Sequence, residues 1–271
     1  MEIENGIAVV TGAGSGIGRA VAHELAGRGA KAVALVDCSE AVAKTASEIE
    51  SLGHARAQTF VGDTTDAQFR KRVFDQVCDE YGAVSFCIPA AGIARDALAL
   101  RLNRETGEPE IYSSEAFHQV VEVDLIAPVY WALETLARIA KWRKSRNLAK
   151  WKPEEGPQGV IVFIGSASVK GNKGQLAYAC AKAGLNGAVA TLSKEANFYG
   201  VRCGVIHPGF TDTPMARALG EEYIRTRVLP TLPIGRFIRP EEIADAVCFM
   251  ISNAAFSGQL WADADWYPPA F

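Results

Sequence analysis

The chain has 271 residues, 49% of them hydrophobic, and a formal net charge of -3. That profile fits a globular protein with a substantial core, read as a single domain over 1–271 because no Pro/Gly/Ser-rich linker divides it. Scattered charge of both signs argues against nucleic acid as a partner, no apolar run reaches membrane-spanning length, and the acidic start MEIENGIAVV lacks a signal peptide's regions, so a cytoplasmic protein is expected.

Ile7 to Val10 is an apolar run without alternation, as a strand buried on both faces of a parallel sheet requires. It leads into Thr11-Gly12-Ala13-Gly14-Ser15-Gly16-Ile17-Gly18 and then, from Arg19, into helical periodicity. Glycines let a backbone turn tightly and approach a pyrophosphate, whose charge is favoured by the free N–H groups and dipole of a helix start. A glycine pattern alone is weak evidence, but here a strand precedes it and a helix follows. A second apolar run, Ala32 to Val36, ends at Asp37, nineteen residues after Gly18. A dinucleotide fold places an acid there to accept hydrogen bonds from the adenosine ribose. The same charge repels a 2′-phosphate, so NAD is expected over NADP, with Arg19 able to offset part of the repulsion.

A helix is expected over about Ala41 to Leu52 and a strand near Ala57 to Val61. After Gly62-Asp63-Thr64, Asp66 caps a helix that turns Phe69, Val73 and Val77 inward. Val84 to Ile88 is a further buried run, followed by Pro89-Ala90-Ala91-Gly92-Ile93. Strands alternating with helices predict an α/β fold, a doubly wound, mostly parallel, Rossmann-like sheet with helices on both faces and ligands at the strand C-terminal ends. Asp96 to Ser114, with Arg101, Asn103, Arg104, Glu105 and Tyr112, reads as a lengthened loop, and Ser114 to about Lys144 as one long helix. Lys141 to Pro157, basic then acidic and carrying Trp142 and Trp151, reads as a solvated connection.

The apolar run from Val160 ends in Gly165-Ser166-Ala167-Ser168, and a helix begins near Gln175. Tyr178 and Lys182, four apart, share a face of that helix at roughly 5–6 Å between Cβ atoms. A cation beside a phenol favours the phenolate and makes proton transfer near neutral pH accessible. Taken alone, such a pair is more often a surface amphipathic pair. Ser166, or alternatively Ser168, supplies a third polar group to hold a substrate oxygen.

Beyond Pro208-Gly209 the stretch 211–237 reads as a lid, offering Met215, Leu219, Tyr223, Val228, Leu229 and Leu232 with Arg217, Arg225 and Arg227 between them. An apolar substrate bearing an acidic group is compatible with it, and so is a lid that packs on its own domain. His207, just before the lid, reads as structural. Pro240-Glu241-Glu242 starts a helix well, and Gln259 to Ala262 is the last strand. The aromatic end after that edge strand, through Trp266, Tyr267 and Phe271, would be exposed in a monomer, which predicts burial against a partner subunit. Six cysteines without a C-x-x-C read as reduced, buried small hydrophobes, and four histidines show no metal-ligand spacing, so no metal is expected.

In combination these motifs resemble the short-chain dehydrogenase/reductase family, of the compact single-domain kind, over nearly the whole chain. Thr11-Gly12-x-x-x-Gly16-x-Gly18 resembles the family's cofactor turn, Asp63 its adenine-side acid, Tyr178-x-x-x-Lys182 its catalytic pair, and Pro208-Gly209-Phe210-x-x-Thr213 its nicotinamide loop. The resemblance implies an NAD-dependent oxidoreductase interconverting a secondary alcohol and a ketone, as a homodimer or homotetramer. Tyr178 would be the proton donor or acceptor, Lys182 would lower its pKa and hold the nicotinamide ribose, and Ser166 would hydrogen-bond the substrate oxygen. Cofactor contacts are implied for Gly12, Ser15, Gly16, Ile17, Gly18, Asp37, Asp63, Thr64, Ala91, Gly92, Tyr178, Lys182, Pro208, Gly209 and Thr213.

Four departures accompany the match. Pro89-Ala90-Ala91-Gly92 stands where the family has Asn-Asn-Ala-Gly, Asp265-Trp266 where a Gly-Gly pair is usual, and Ser166 lies twelve residues before Tyr178, one fewer than usual. Asp124 takes the place of a catalytic Asn. An amide donates and accepts whereas an ionised carboxylate only accepts, so Asp124 is expected to anchor a water relay to Lys182. A lyase, epimerase or cyclase on the same fold, and a nucleotide-binding protein with little catalysis, remain as alternatives.

Overall fold

The computed structural model describes residues 1–53 and 55–268. Its centre is a seven-stranded sheet built from β1 (Ile7–Thr11), β2 (Ala32–Asp37), β3 (Arg56–Val61), β4 (Phe86–Pro89), β7 (Gly159–Ile164), β8 (Val201–Pro208) and β9 (Gly258–Ala262), in the order β3-β2-β1-β4-β7-β8-β9. Every pairing in it is parallel, which requires crossovers on the faces and explains why β1, β2, β4, β7 and β8 are nearly unbroken apolar runs. The strand order reverses between β1 and β4. A crevice therefore opens at their C-terminal ends, where Gly12 and Ala91 meet.

One face carries α1 (Gly16–Gly27), α2 (Val42–Ser51) and α9 (Pro240–Ser252); their Val21, Leu25, Ile49 and Val247 pack with Val10, Leu35 and Val162 of the sheet. The other carries α3 (Ala67–Tyr81), α5 (Ala127–Ser145) and α6 (Leu176–Glu195), which bury Phe74, Trp131 and Leu185 with Val9, Ile161 and Phe163. The doubly wound expectation is met. Asp66 caps α3 by accepting from the Gln68 N–H at 2.7 Å, and Glu242 secures the start of α9 by accepting from the Arg239 N–H at 2.7 Å.

Three expectations are corrected by local physics. The segment after β4 is not plain loop: β5 (Leu100–Leu102) and β6 (Pro109–Ile111) form an antiparallel hairpin, with Arg101 paired across to Glu110 and Gly107 at φ 73° in the turn. The long helix is not continuous, because a π-turn over Glu122–Ile126 separates α4 (Ser114–Val121) from α5. Pro128 has no N–H to give the carbonyl four residues back, that of Asp124, so the regular ladder is interrupted there. The charged connection after α5 is not wholly solvated either: Arg143 is buried, pairs with Glu155 at 2.6 Å and donates to the Ala149 carbonyl at 2.9 Å.

The lid contains α7 (Pro214–Arg217) and α8 (Glu221–Tyr223), then a π-turn and a 3-10 turn. Ile224, Val228, Leu232 and Phe237 form a small core with Trp266, so Trp266 is covered by its own chain rather than left for a partner, while Tyr267 is exposed. Phe271 lies outside the described residues. Cys87, Cys203 and Cys248 are buried as expected, but Cys38 and Cys180 are exposed, Cys180 because it lies on the outer side of α6.

Candidate functional site

The turn between β1 and α1 is closed by glycines that nothing larger can replace. Gly12 has φ 66°, and a Cβ there would stand 2.8 Å from the Ala91 N; at Gly18 it would stand 2.3 Å from the Gly12 carbonyl oxygen. The Thr11 hydroxyl accepts the Ala91 N–H at 3.1 Å, tying the turn to the end of β4. Neither asparagine of the family pattern is needed for that tie, since it runs from hydroxyl to backbone. Asp37, at the end of β2, reaches back to accept from the Gly14 N–H at 2.9 Å and from the Ser39 N–H at 3.0 Å. Arg19 is drawn away to Glu48, with contacts of 2.8 and 2.7 Å, and does not line the cleft that Asp37 lines. It borders the neighbouring surface beside Gly14, Ser15 and Gly16 instead.

Two adjoining cavities run along the C-terminal edge of the sheet. The larger, about 430 Å³, is lined by Gly12, Ser15, Gly16, Ile17, Gly18, Asp37, Asp63, Thr64, Ala91, Gly92, Tyr178, Lys182 and Thr213. Pro208 and Gly209 line the smaller, about 160 Å³, together with Ser166, Ser168 and Tyr178. Every residue named for cofactor contact thus borders this pair of cavities, and Ile17, Ile164, Tyr178, Thr213 and Met215 border both. An extended dinucleotide fits the donor set of the larger one: a glycine cradle that Cβ atoms would fill, the start of α1, and an acid at the far strand end.

Tyr178 stands where the cavities meet. The Lys182 Nζ is 5.6 Å from its ring centroid, donates to the Ile164 carbonyl at 3.0 Å and lies 3.2 Å from Asp124 Oδ2. Asp124 is fully buried. Its Oδ1 accepts the Ile93 N–H at 2.8 Å, while Oδ2 has no hydrogen bond of its own and is stabilised ionically. The π-turn is what brings this carboxylate to Lys182, and the sequence signal for it was Pro128 four residues on.

Burial is the largest influence on all three groups. It raises the Asp124 carboxyl, with Lys182 and the Ile93 N–H opposing. Burial works to lower Lys182, but the charge of Asp124 and the neighbouring phenol outweigh it and leave the ammonium raised. Burial raises Tyr178, and Asp124 adds to the rise that Lys182 opposes. The net direction for the phenol is therefore upward, the reverse of the simple cation-beside-phenol expectation.

Ser166 lies two residues beyond β7 and caps the next turn, its Oγ accepting the Ser168 N–H at 3.1 Å. The Ser168 hydroxyl is engaged with Gln175 Oε1 at 2.7 Å, which leaves Ser166 as the serine beside Tyr178 with a hydroxyl proton to give. His207, read as structural, holds Ser166 through Nδ1, which lies 3.2 Å from the Ser166 carbonyl oxygen and 3.3 Å from its backbone N and bonds one or the other according to tautomer; burial lowers the pKa of the ring. A Cβ at Gly165 would stand 2.5 Å from that Nδ1, so the glycine before Ser166 is dictated by this contact.

Comparison with known proteins follows the same lines. The family model described as short chain dehydrogenase matches residues 6–224. The chain is 34% identical over 256 residues to a 3-oxoacyl-[acyl-carrier-protein] reductase, FabG, of Escherichia coli, covering 94% of this chain and 93% of that one. It is 33% identical over 255 residues to carbonyl reductase family member 4 of Danio rerio, covering 94% of each. A short-chain type dehydrogenase/reductase from Mycobacterium marinum superposes with a TM-score of 0.83 at 21% identity, covering 99% of this chain and 98% of that one.

Proposed function

Since the chain belongs to the short-chain dehydrogenase family, we propose that it is an NAD-dependent oxidoreductase interconverting a secondary alcohol and a ketone, working as one dinucleotide-binding and catalytic domain. The observation that carries this reading is the position of Tyr178 where a glycine-cradled cleft meets a smaller, mostly apolar cavity, with Lys182 behind it and Ser166 beside it. A bound nicotinamide dinucleotide supplies or accepts the hydride.

The chain's own residues handle everything else. In reduction, the Ser166 hydroxyl and the Tyr178 phenol both donate to the carbonyl oxygen, and the phenol gives up its proton as negative charge develops there. Lys182 holds the resulting phenolate, and Asp124 keeps Lys182 charged and directed. Asp124 Oδ2, ion-paired with Lys182 but without a hydrogen bond of its own, suits an ordered water through which Tyr178 is reprotonated. In oxidation the same groups run backward, with the phenolate as base. A phenol raised above its ordinary value holds its proton at neutral pH, which favours the reductive role and makes oxidation an alkaline reaction.

NAD is supported by Asp37, fixed on the glycine turn, and by the engagement of Arg19 elsewhere. A homodimer or homotetramer is supported by Ile126, Tyr130 and Leu133, apolar and exposed at the start of the long helical segment. A cytoplasmic location agrees with the finding that no described helix is long and apolar enough to cross a membrane. Tyr178→Phe tests the mechanism: it should abolish turnover of any ketone found by screening and leave NADH binding intact. Activity surviving in that variant would sink the acid/base assignment.

A further inference from the structure

The smaller cavity differs from the larger in chemistry as well as in size. We infer that it selects a short ketone or secondary alcohol carrying a hydroxyl and no anionic group, with Trp266 setting the length and Asp96 reading the hydroxyl. This rests on the oxidoreductase reading above.

Length comes first. A volume of about 160 Å³, part of it walled by the Pro208, Gly209 and Thr213 assigned to the cofactor, leaves a substrate fewer than the roughly ten water-sized groups that would fill the whole, each needing about 10–15 Å³ in that measure. Trp266, 4% exposed, is one of its walls, standing edge-on to Phe210 at 4.9 Å with its indole N–H donating to Thr231 Oγ1 at 3.3 Å. The backbone leading to it holds Ala264 at φ 51° and Asp265 at φ 61°, consecutive non-glycine residues in the left-handed region. Such a conformation persists only where the surroundings over-determine it. What holds it is the seating of Trp266 in the lid core and the Lys170 to Asp263 ion pair at 2.8 Å. The tryptophan is thus a fixed wall.

Charge comes second. Among the described residues no lysine or arginine lines this cavity, and Asp96 is the one carboxylate that does. Of the three lid arginines, Arg217 binds Asp212 at 2.6 Å and Arg225 binds Glu222 at 2.8 Å, and the exposed Arg227 does not line the cavity. At the rim, Gln175 Oε1 accepts from Ser168 and Asn172, and its amide nitrogen donates to Asp96 Oδ2 at 2.9 Å. Among the described residues Asp96 Oδ1 receives no side-chain hydrogen bond, so that rim presents an acceptor to a substrate hydroxyl and repels a carboxylate.

The test uses a matched set: cyclohexanone and its 4-hydroxy, 4-carboxylate and 4-hexyl derivatives, with kcat/KM from NADH- and NADPH-dependent reduction and binding read separately by saturation-transfer NMR. The hydroxyketone should lead, the carboxylate should trail it by roughly fivefold, as for an exposed charge contact, and the hexyl ketone by at least about tenfold. Trp266→Gly should raise the hexyl ketone at least about tenfold relative to cyclohexanone; should that variant fail to fold, Leu219→Ala, on the half-exposed lid wall, is expected to give a gain in the same direction. Asp96→Lys should reverse the order of hydroxyl and carboxylate. A wild-type enzyme that accepts the hexyl or carboxylate compound as well as the hydroxyketone overturns the inference. So does saturation transfer to none of the four while acetoacetyl coenzyme A is reduced. Failure to reduce any carbonyl, that thioester included, despite tight NADH binding would bring down the oxidoreductase reading itself.

Discussion

Gly12→Ala should break the cofactor turn for reasons that can be counted. The residue sits at φ 66°, and an added Cβ would meet the Ala91 N at 2.8 Å, the Ala91 Cα at 2.9 Å and the Ala90 carbonyl carbon at 3.0 Å. All three are backbone atoms of the segment leaving β4, so no flexible side chain can yield. The left-handed conformation costs an alanine about 1–2 kcal/mol, and forcing a methyl group into a packed contact costs about 1–3 kcal/mol more. The sum, roughly 2–5 kcal/mol, lowers the melting temperature by about 5–15 °C for a domain of this size. Relief can come only by parting Ala91 from the turn, which breaks the Thr11 to Ala91 hydrogen bond and deforms the cleft, so NADH titrated by fluorescence should bind more weakly too. Gly187→Ala is the control: it lies exposed on α6 with nothing within 4 Å of an added Cβ, and should stabilise by about 0.5–1 kcal/mol. Gly12→Ala melting within about 2 °C of wild type, with NADH affinity unchanged, would refute the cradle geometry.

Two further substitutions probe the charges around the cleft. Asp37→Asn keeps an oxygen for the Gly14 N–H but removes the repulsion of a 2′-phosphate, so the ratio of NADPH to NADH affinity should rise by about tenfold or more; an unchanged ratio would mean that Asp37 does not select the cofactor. Asp124→Asn keeps an acceptor for the Ile93 N–H and removes a charge that raises both Tyr178 and Lys182. Alcohol oxidation requires the phenolate, so its pH profile should rise at lower pH in the variant than in wild type. A midpoint that stays or moves upward would show that the carboxylate is not electrostatically coupled to the phenol.

Much of the sheet was legible because a strand buried on both faces has little choice of residue. Ile7–Thr11, Ala32–Asp37 and Gly159–Ile164 are apolar runs bounded by glycines or acids, and their places follow from that alone. The hairpin of β5 and β6 escaped notice because its strands have three residues each and leave Leu100, Leu102 and Ile111 exposed, so no buried face imposes a period. Arg143 escaped for the opposite reason. Within a run of basic residues nothing distinguishes the one whose guanidinium folds inward to Glu155, because that partner is settled by a chain reversal twelve residues long.

At the site, spacing identified the groups but could not give the balance of forces among them. Tyr178 and Lys182 share a helix face, and the pair was readable as a pair. The phenol's net displacement, however, depends on Asp124, which comes from a different helical segment through a π-turn and adds its charge to the effect of burial. The same holds for Ala90: losing an asparagine there reads as lost support, yet the Thr11 hydroxyl already holds the Ala91 N–H, a bond invisible in a sequence because its partners lie eighty residues apart. An Asn-to-Asp change beside a lysine is thus not a weakened copy of the amide. It replaces a neutral amide by a carboxylate that helps keep the Lys182 ammonium charged and adds to the rise that burial imposes on the Tyr178 phenol. At the phenol its sign is opposite to that of Lys182, so the two charges acting on Tyr178 oppose each other.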